Sequence, residues 1–280
     1  MALFNEDQIR QAVRDSYSRV AQDGKPCCGG SQNGPAELSM LKSSCCGGSE
    51  DTTNKYCCQD SARMGYSPEE LSGVPEGADM GLGCGNPQAF AHLKSGETVL
   101  DLGCGGGFDS FLASNQVGPE GQVIGVDMTP EMVSKARENA ARAGYSNVEF
   151  RLGEIEHLPV ADSSVDAILS NCVINLSPDK SAVYLDAFRV LKPGGRLAIS
   201  DMVSIAELPD ELGNDLACYC GCITGTIPVD EVRRILAKSG FEDIRVQPKD
   251  ESREFISSWV PGKRVEDYVV SATIEAIKPG

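Results

Sequence analysis

No stretch of about 18 consecutive apolar residues occurs, so no membrane-spanning helix is expected. Residues 1–25 carry charges throughout and lack an apolar core segment, which gives no sign of a secretory signal peptide. Basic residues are scarce as well: 25 Lys and Arg face 41 Asp and Glu, for a formal net charge of −16. Without a compensating Lys/Arg run or a basic helix, neither a nucleic-acid nor a membrane partner is expected, and small neutral or cationic substrates are favoured. Only two histidines are present, His92 and His157, so a mixed Cys/His zinc site is poorly supplied. The dinucleotide fingerprint G-x-G-x-x-G is missing too: counted from Gly103, its third glycine position holds Phe108, which weakens an NAD reading.

Cysteine, by contrast, is abundant. The absence of targeting segments predicts a cytoplasmic protein, and there thiols stay reduced. Twelve cysteines in such a compartment point to metal, metalloid or redox chemistry rather than a disulfide scaffold. Three vicinal pairs come early: Cys27-Cys28, Cys45-Cys46 and Cys57-Cys58. Cys84, Cys172 and Cys222 stand apart, around the segments that carry the chemistry.

The chain divides at about residue 62. Residues 5–21 read as a helix, with Asn5 and Gln8 as a capping box and Ile9, Val13, Tyr17 and Val20 at helical spacing. A Gly/Ser/Asn/Pro/Cys-rich tether follows, in which "CCGGS" occurs at 27–31 and again at 45–49. "SPEE" at 67–70 opens a short helix, capped by Ser67, with Glu70 closing the box. Residues 63–280 then alternate strand and helix, the pattern of a parallel sheet in an α/β domain of Rossmann-like type. Strands are expected at 98–103, 122–128, 147–153, 165–173, 196–203, 241–246 and 267–277. Thr129-Pro130, Ser177-Pro178 and Pro228 start helices, and Lys192–Gly195 is expected to stop one. The segment 204–227 follows the fifth strand and is expected to complete the substrate site.

The first strand, "VLDLGCGGGFD", ends in a glycine turn, where missing side chains let the backbone approach a ligand. Gly103, Cys104 and Gly105 form that turn. Asp101 ahead of it would repel a pyrophosphate but suits the cationic aminoacid-sulfonium part of S-adenosylmethionine. Asp127, ending the second strand beside Met128, is positioned to accept hydrogen bonds from both ribose hydroxyls. Glu154 and Ile155 are expected to flank the adenine, and Asn171 to face the methionine or the reacting methyl. The ordered set of glycines, Asp127, "GEIEHLP" and "LKPGGRL" predicts an S-adenosylmethionine-dependent methyltransferase, with no permanently bound metal.

Residues 64–278 resemble the arsenite S-adenosylmethionine methyltransferases. The segments that carry the resemblance are "GLGCGNP" (81–87), "GVDMTPEMVSKAR" (125–137), "VEFRLGEIEHLPV" (148–160), "SNCVINLSPDK" (170–180) and "GCITGT" (221–226). "SNCVINLSPDK" is the most specific, because generic methyltransferases rarely carry Cys at that strand end. The resemblance implies a seven-stranded sheet with a thiol-lined substrate site over the transferable methyl. It also implies a redox disulfide between Cys84 and one of Cys57 or Cys58; Cys58 is taken here as the candidate. Two positions depart from the family: Cys104 where Ser is usual, and Thr226 where Ala is usual. Neither removes a thiol.

A buried cysteine is most often a small apolar filler. Position favours more here, because Cys172 follows Asn171 at a strand's carboxyl end, where ligands of open parallel sheets bind. Cys84 lies in a Gly-rich turn with little local core to fill. Cys222 belongs to "ACYCGC", whose alternating thiols cannot all face one apolar surface if the segment is extended. Cys218 and Cys220 in the same segment are read as packing residues. Scattered single thiols suit pyramidal trivalent arsenic better than tetrahedral zinc. Cys172 and Cys222 are thus expected to hold arsenic, with Cys84 as third ligand, and the outermost pairs at most capture it. Substrates would be arsenite and its thiol conjugates, with a thioredoxin- or glutathione-type reductant and a detoxification role. Two alternatives are a small-molecule C-, O- or N-methyltransferase, for which no general base is evident, and a non-catalytic arsenic-binding protein.

Overall fold

A computed structural model describes residues 4–23, 61–260 and 262–280. The pairs Cys27-Cys28, Cys45-Cys46 and Cys57-Cys58 lie outside the described residues, and Cys84, for which a disulfide is expected, is a free thiol.

Among the described residues, seven strands form one sheet: β1 (Thr98–Leu102), β2 (Gln122–Asp127), β3 (Val148–Leu152), β4 (Val165–Asn171), β5 (Leu191–Ser204), β6 (Glu242–Lys249) and β7 (Val269–Ile277). Their spatial order is β3-β2-β1-β4-β5-β7-β6. β1 to β5 run parallel, while β7 inserts antiparallel between β5 and β6. Parallel strands covered on both faces read as continuous apolar runs, and β1 and β4 do so, with Val99, Leu100, Ala167, Ile168 and Leu169 fully buried.

The helices are α1 (Glu6–Asp23), α2 (Pro68–Ser72), α3 (Gln88–Ala91), α4 (Phe108–Val117), α5 (Pro130–Ala143), α6 (Lys180–Val190), α7 (Asp210–Gly213), α8 (Leu216–Cys220), α9 (Val229–Lys238) and α10 (Arg253–Ile256). Both expected capping boxes form. Asn5 and Gln8 exchange bonds of 2.8 and 2.9 Å, and Ser67 and Glu70 do likewise at the start of α2. α1 packs on α5 and α8, with Val13 and Val20 buried.

Two local expectations are corrected. Asp179, not Ser177, caps α6, accepting from the Ala182 amide at 3.0 Å. Ser177 instead donates to Glu156 at 2.7 Å. Lys192–Gly195 is not a stop between helix and strand but a bulge inside β5: Val165 pairs with Leu191, and two residues later Ala167 already pairs with Arg196.

Strand order reverses between β1 and β4. At such a switch point the neighbouring loops part and leave a crevice beyond the carboxyl ends. Gly103, Asp127 and Cys172 all sit on that edge. Among the described residues, no helix is long and apolar enough to cross a membrane.

Candidate active site

A cavity with about 1060 Å³ of non-atom space, open to solvent on one side, occupies the crevice. Asp101, Gly103, Cys104, Gly105, Asp127, Met128, Ile155 and Asn171 line it, as does Cys172. The turn after β1 needs its glycines: Gly103 and Gly105 have φ of 64° and 51°. A Cβ on Gly103 would also come within 2.4 Å of the Val173 side chain. Gly103→Ala is therefore expected to cost roughly 2–4 kcal/mol, combining left-handed strain with overpacking. Thermal unfolding and S-adenosylmethionine titration check it; an unchanged melting temperature would contradict the strained turn.

Three carboxylates face the cavity, Asp101 and Asp109 buried and Asp127 half-buried. Asp127 accepts from the Gly105 amide at 3.0 Å, from the Thr129 amide at 2.8 Å and from the Thr129 side chain, which still leaves acceptor capacity for a ligand's hydroxyl. Desolvation of the carboxylate raises it above the usual range, against those bonds. Asp101 receives a 2.6 Å bond from Ser110. Burial, and then the charge of Asp109, hold Asp101 well above the usual range. Asp109 itself is pushed up to about 6 by burial, against bonds from Tyr66, Asn171 and Gln88. Buried negative charge with so little compensation fits a cationic ligand, and S-adenosylmethionine is one.

Glu154 is corrected in position. Its carboxylate is turned onto α1, paired with Arg14 and with Arg10. Ile155 and Glu156 line the cavity in its place. Arg10, Val13 and Tyr17 of α1 join that lining, a contribution invisible in the sequence because α1 lies so far upstream. Asn171 lines the cavity, but its amide is largely occupied. Its Oδ1 accepts from the Cys84 amide at 3.0 Å, and its Nδ2 donates to Gly85 O at 2.8 Å, to Tyr66 Oη at 3.0 Å and to Asp109 at 3.2 Å. Asn171 thus ties the Cys84 turn to the end of β4.

The three single thiols meet next to this cavity. Cys84, Cys172 and Cys222 are 1, 5 and 4 % exposed and belong to one buried cluster. Cys172 and Cys222 both adopt left-handed backbone, with φ of 58° and 59°. Such conformations are costly for non-glycine residues and gather at functional sites. Cys172 is anchored by its amide to Ser200 O at 2.8 Å. The Cys222 thiol donates to the Cys172 carbonyl at 3.0 Å. Cys84 is held on its other side by Ser271, which donates to its carbonyl at 2.8 Å. The neighbouring thiols of Cys222 and Cys84, and then burial, hold the Cys172 thiol well above the usual range. Cys222 bonds Cys172, which favours its thiolate, yet burial and the Asp201 charge leave it raised.

The "ACYCGC" segment is not extended: residues 216–220 make one helical turn, α8, so its thiols do not alternate between faces. Cys218 and Cys220 are buried in the same cluster, and Cys218 is disulfide-bonded. Cys104 is a buried thiol in the cofactor turn, raised well above the usual range by burial and then by Asp127 and Asp101. Sequence reading missed Tyr66, Asp109 and Asp201. Asp109 alone carried a signal, as the acid directly after "GGGF".

A parallel sheet with one antiparallel insertion and a glycine turn facing acids across an open crevice define an S-adenosylmethionine-dependent methyltransferase. Residues 93–240 match the family model described as a methyltransferase domain. The chain is 51% identical over 273 residues to an arsenite methyltransferase of Halobacterium salinarum, covering 98% of this chain and 67% of that protein. An arsenite methyltransferase of Aquipseudomonas alcaligenes is 38% identical over 236 residues, covering 81% and 67% respectively. Among solved structures, an arsenic (III) S-adenosylmethionine methyltransferase from Chlamydomonas reinhardtii aligns with a TM-score of 0.57 and 32% identity, over 79% of this chain and 72% of that one. The chain belongs to the arsenite methyltransferase family.

Proposed function

We infer that this chain methylates arsenite, with Cys172, Cys222 and Cys84 as the arsenic ligands. One observation carries the assignment of the ligands: of the three converging thiols, Cys172 lines the cofactor cavity while contacting the other two.

Asp101 and Asp109 would face the cationic end of the cofactor, Asp127 its ribose, and Ile155 its adenine. When bound, S-adenosylmethionine would supply an electrophilic sulfonium methyl to which trivalent arsenic would donate its lone pair, the sulfur–methyl bond breaking to leave S-adenosylhomocysteine. The raised Cys172 and Cys222 thiols suit the capture step. Each neutral S–H hands its proton to a departing arsenic hydroxide, so three thiols and As(OH)₃ give a trithiolate and three waters. No charge is created in the buried pocket, and no separate base is required. Burial of all three thiols also excludes the water that would reverse the exchange.

Transfer formally raises arsenic to the pentavalent state. Two thiols closing to a disulfide return two electrons, and a reductant of thioredoxin or glutathione type restores them. Cys58 keeps its place as the proposed partner of Cys84 in that step, on the strength of the family resemblance. A cytoplasmic setting, which supplies thiol reductants able to reopen such a disulfide, fits this chemistry.

Incubation with arsenite, S-adenosylmethionine and a thiol reductant is expected to yield methylated arsenicals, resolved by arsenic speciation. Unchanged inorganic arsenite would refute the activity. An organic acceptor, or stoichiometric binding without turnover, would be exposed by the same measurement.

A further inference from the structure

Asp201 lies on β5 against the thiol cluster and is 2 % exposed. One of its carboxylate oxygens and the Cys84 and Cys172 sulfurs all lie within 4.8 Å of one another. The grouping has the outline of a cation site, but the carboxylate has nothing left to give. Oδ2 accepts from the amides of Ile174 at 2.9 Å and Asn175 at 3.3 Å. Oδ1 accepts from the Asn175 side-chain amide at 2.8 Å and from the Met202 amide at 2.7 Å. A carboxylate offers about four acceptor positions, and all of them are filled. Asp201 is therefore a clamp rather than a ligand.

What it clamps is the turn that presents the thiols. Ile174 and Asn175 follow the left-handed Cys172 after a single intervening residue, Val173. Asn175 carries the restraint across to the Cys222 segment. Its side chain also donates to Met202 O at 2.6 Å. Its carbonyl oxygen sits so close to Gly225 that a Cβ there would approach it to 2.0 Å. Lys180 donates to Ser177 O at 2.9 Å and to Asn175 O at 3.5 Å, closing the far side of the same turn.

We propose that Asp201 is a positioning residue for arsenic capture, bracing through Asn175 the turn that makes Cys84, Cys172 and Cys222 converge. The inference rests on arsenite being the substrate. A left-handed cysteine is not held by its own preference, so an external brace must over-determine it. Carboxylate suits that task better than amide. It accepts four N–H groups at once, whereas an Asn at 201 would turn a donor of its own toward two of them.

The test uses the full chain and its Asp201→Asn variant. Three quantities are read: the kinetic constants for arsenite, S-adenosylmethionine affinity by calorimetry, and arsenite protection of Cys84, Cys172 and Cys222 from alkylation, mapped by mass spectrometry. D201N is expected to lose about tenfold in kcat/KM for arsenite, mainly through KM, as charged hydrogen bonds are removed. S-adenosylmethionine affinity should stay at the parent value, and protection should no longer cover all three thiols. Asn175→Ala removes two side-chain bonds and leaves both backbone amides on Asp201. It should show a smaller loss in the same direction, and it decides the matter if D201N does not fold. Parental arsenite constants and protection in either folded variant would overturn the brace. So would an equal loss of arsenite and cofactor binding. If the parent enzyme itself shows no arsenite protection, the substrate assignment fails first, a result distinguishable from failure of the brace alone.

Discussion

Cys172→Ser is expected to abolish arsenic methylation while S-adenosylmethionine binding stays at the parent value. Serine keeps the size and the left-handed backbone of Cys172, so the turn and its amide bond to Ser200 O at 2.8 Å survive. What is lost is a soft sulfur donor, the type that thiophilic centres select over a hydroxyl. Arsenic held only by Cys84 and Cys222 would be bound away from the cavity, since neither of those residues lines it. Misplacing a reacting atom by about 1 Å can cost ~10²-fold in rate, so a loss of at least ~10²-fold is expected here. Arsenic speciation measures the rate, and calorimetry with the cofactor supplies the control. Methylation at the parent rate would remove Cys172 from the mechanism; joint loss of cofactor binding would make its role structural.

The second large effect concerns Asp101. Asp101→Asn should weaken S-adenosylmethionine binding by about ten- to a hundredfold, given ~1.5–3 kcal/mol for a bond between charged groups. The same change should stabilise the ligand-free protein. In the fold, burial and then the neighbouring Asp109 raise Asp101 above its unfolded value of about 3.9. The folded state therefore binds protons more tightly than the unfolded one. Its stability contribution is present at low pH and is lost as pH rises from the unfolded value through the raised folded one. Asp109, raised to about 6, acts in the same direction over that window. Urea unfolding between about pH 4 and pH 7 should show the ligand-free parent losing stability as pH rises, and D101N losing less. If D101N binds the cofactor as the parent does, Asp101 does not face its cationic end.

Much of the site was legible because its chemistry follows strand ends. Asp101 and the glycines close β1, Asp127 closes β2, and Cys172 follows β4, so a periodic reading of strands placed each at one edge. Glu154 was misplaced for an identifiable reason. The acid at the end of β3 is neutralised by Arg14 and Arg10 of α1, a helix more than a hundred residues upstream. Asn171 is expected from its strand end to face the methionine or the reacting methyl, and its amide also ties down the Cys84 turn, itself distant in sequence. The thiol alternation of "ACYCGC" holds only if the segment is extended, and the cap of Asp215 on the Ala217 amide starts a helical turn there instead.

The amino-acid sequence by itself determined the class of fold and the strand edge at which the cofactor residues stand. Those properties depend on short-range order: the period of apolar residues, glycines where the backbone turns left-handed, and acids beside them. Tertiary structure alone decided how the thiols converge, that Cys172 faces the cavity, and that Asp201 braces their turn. Each of those facts arises where β1, β4, β5 and the α8 loop meet in space. Contacts between residues far apart in the chain leave no periodic trace in it.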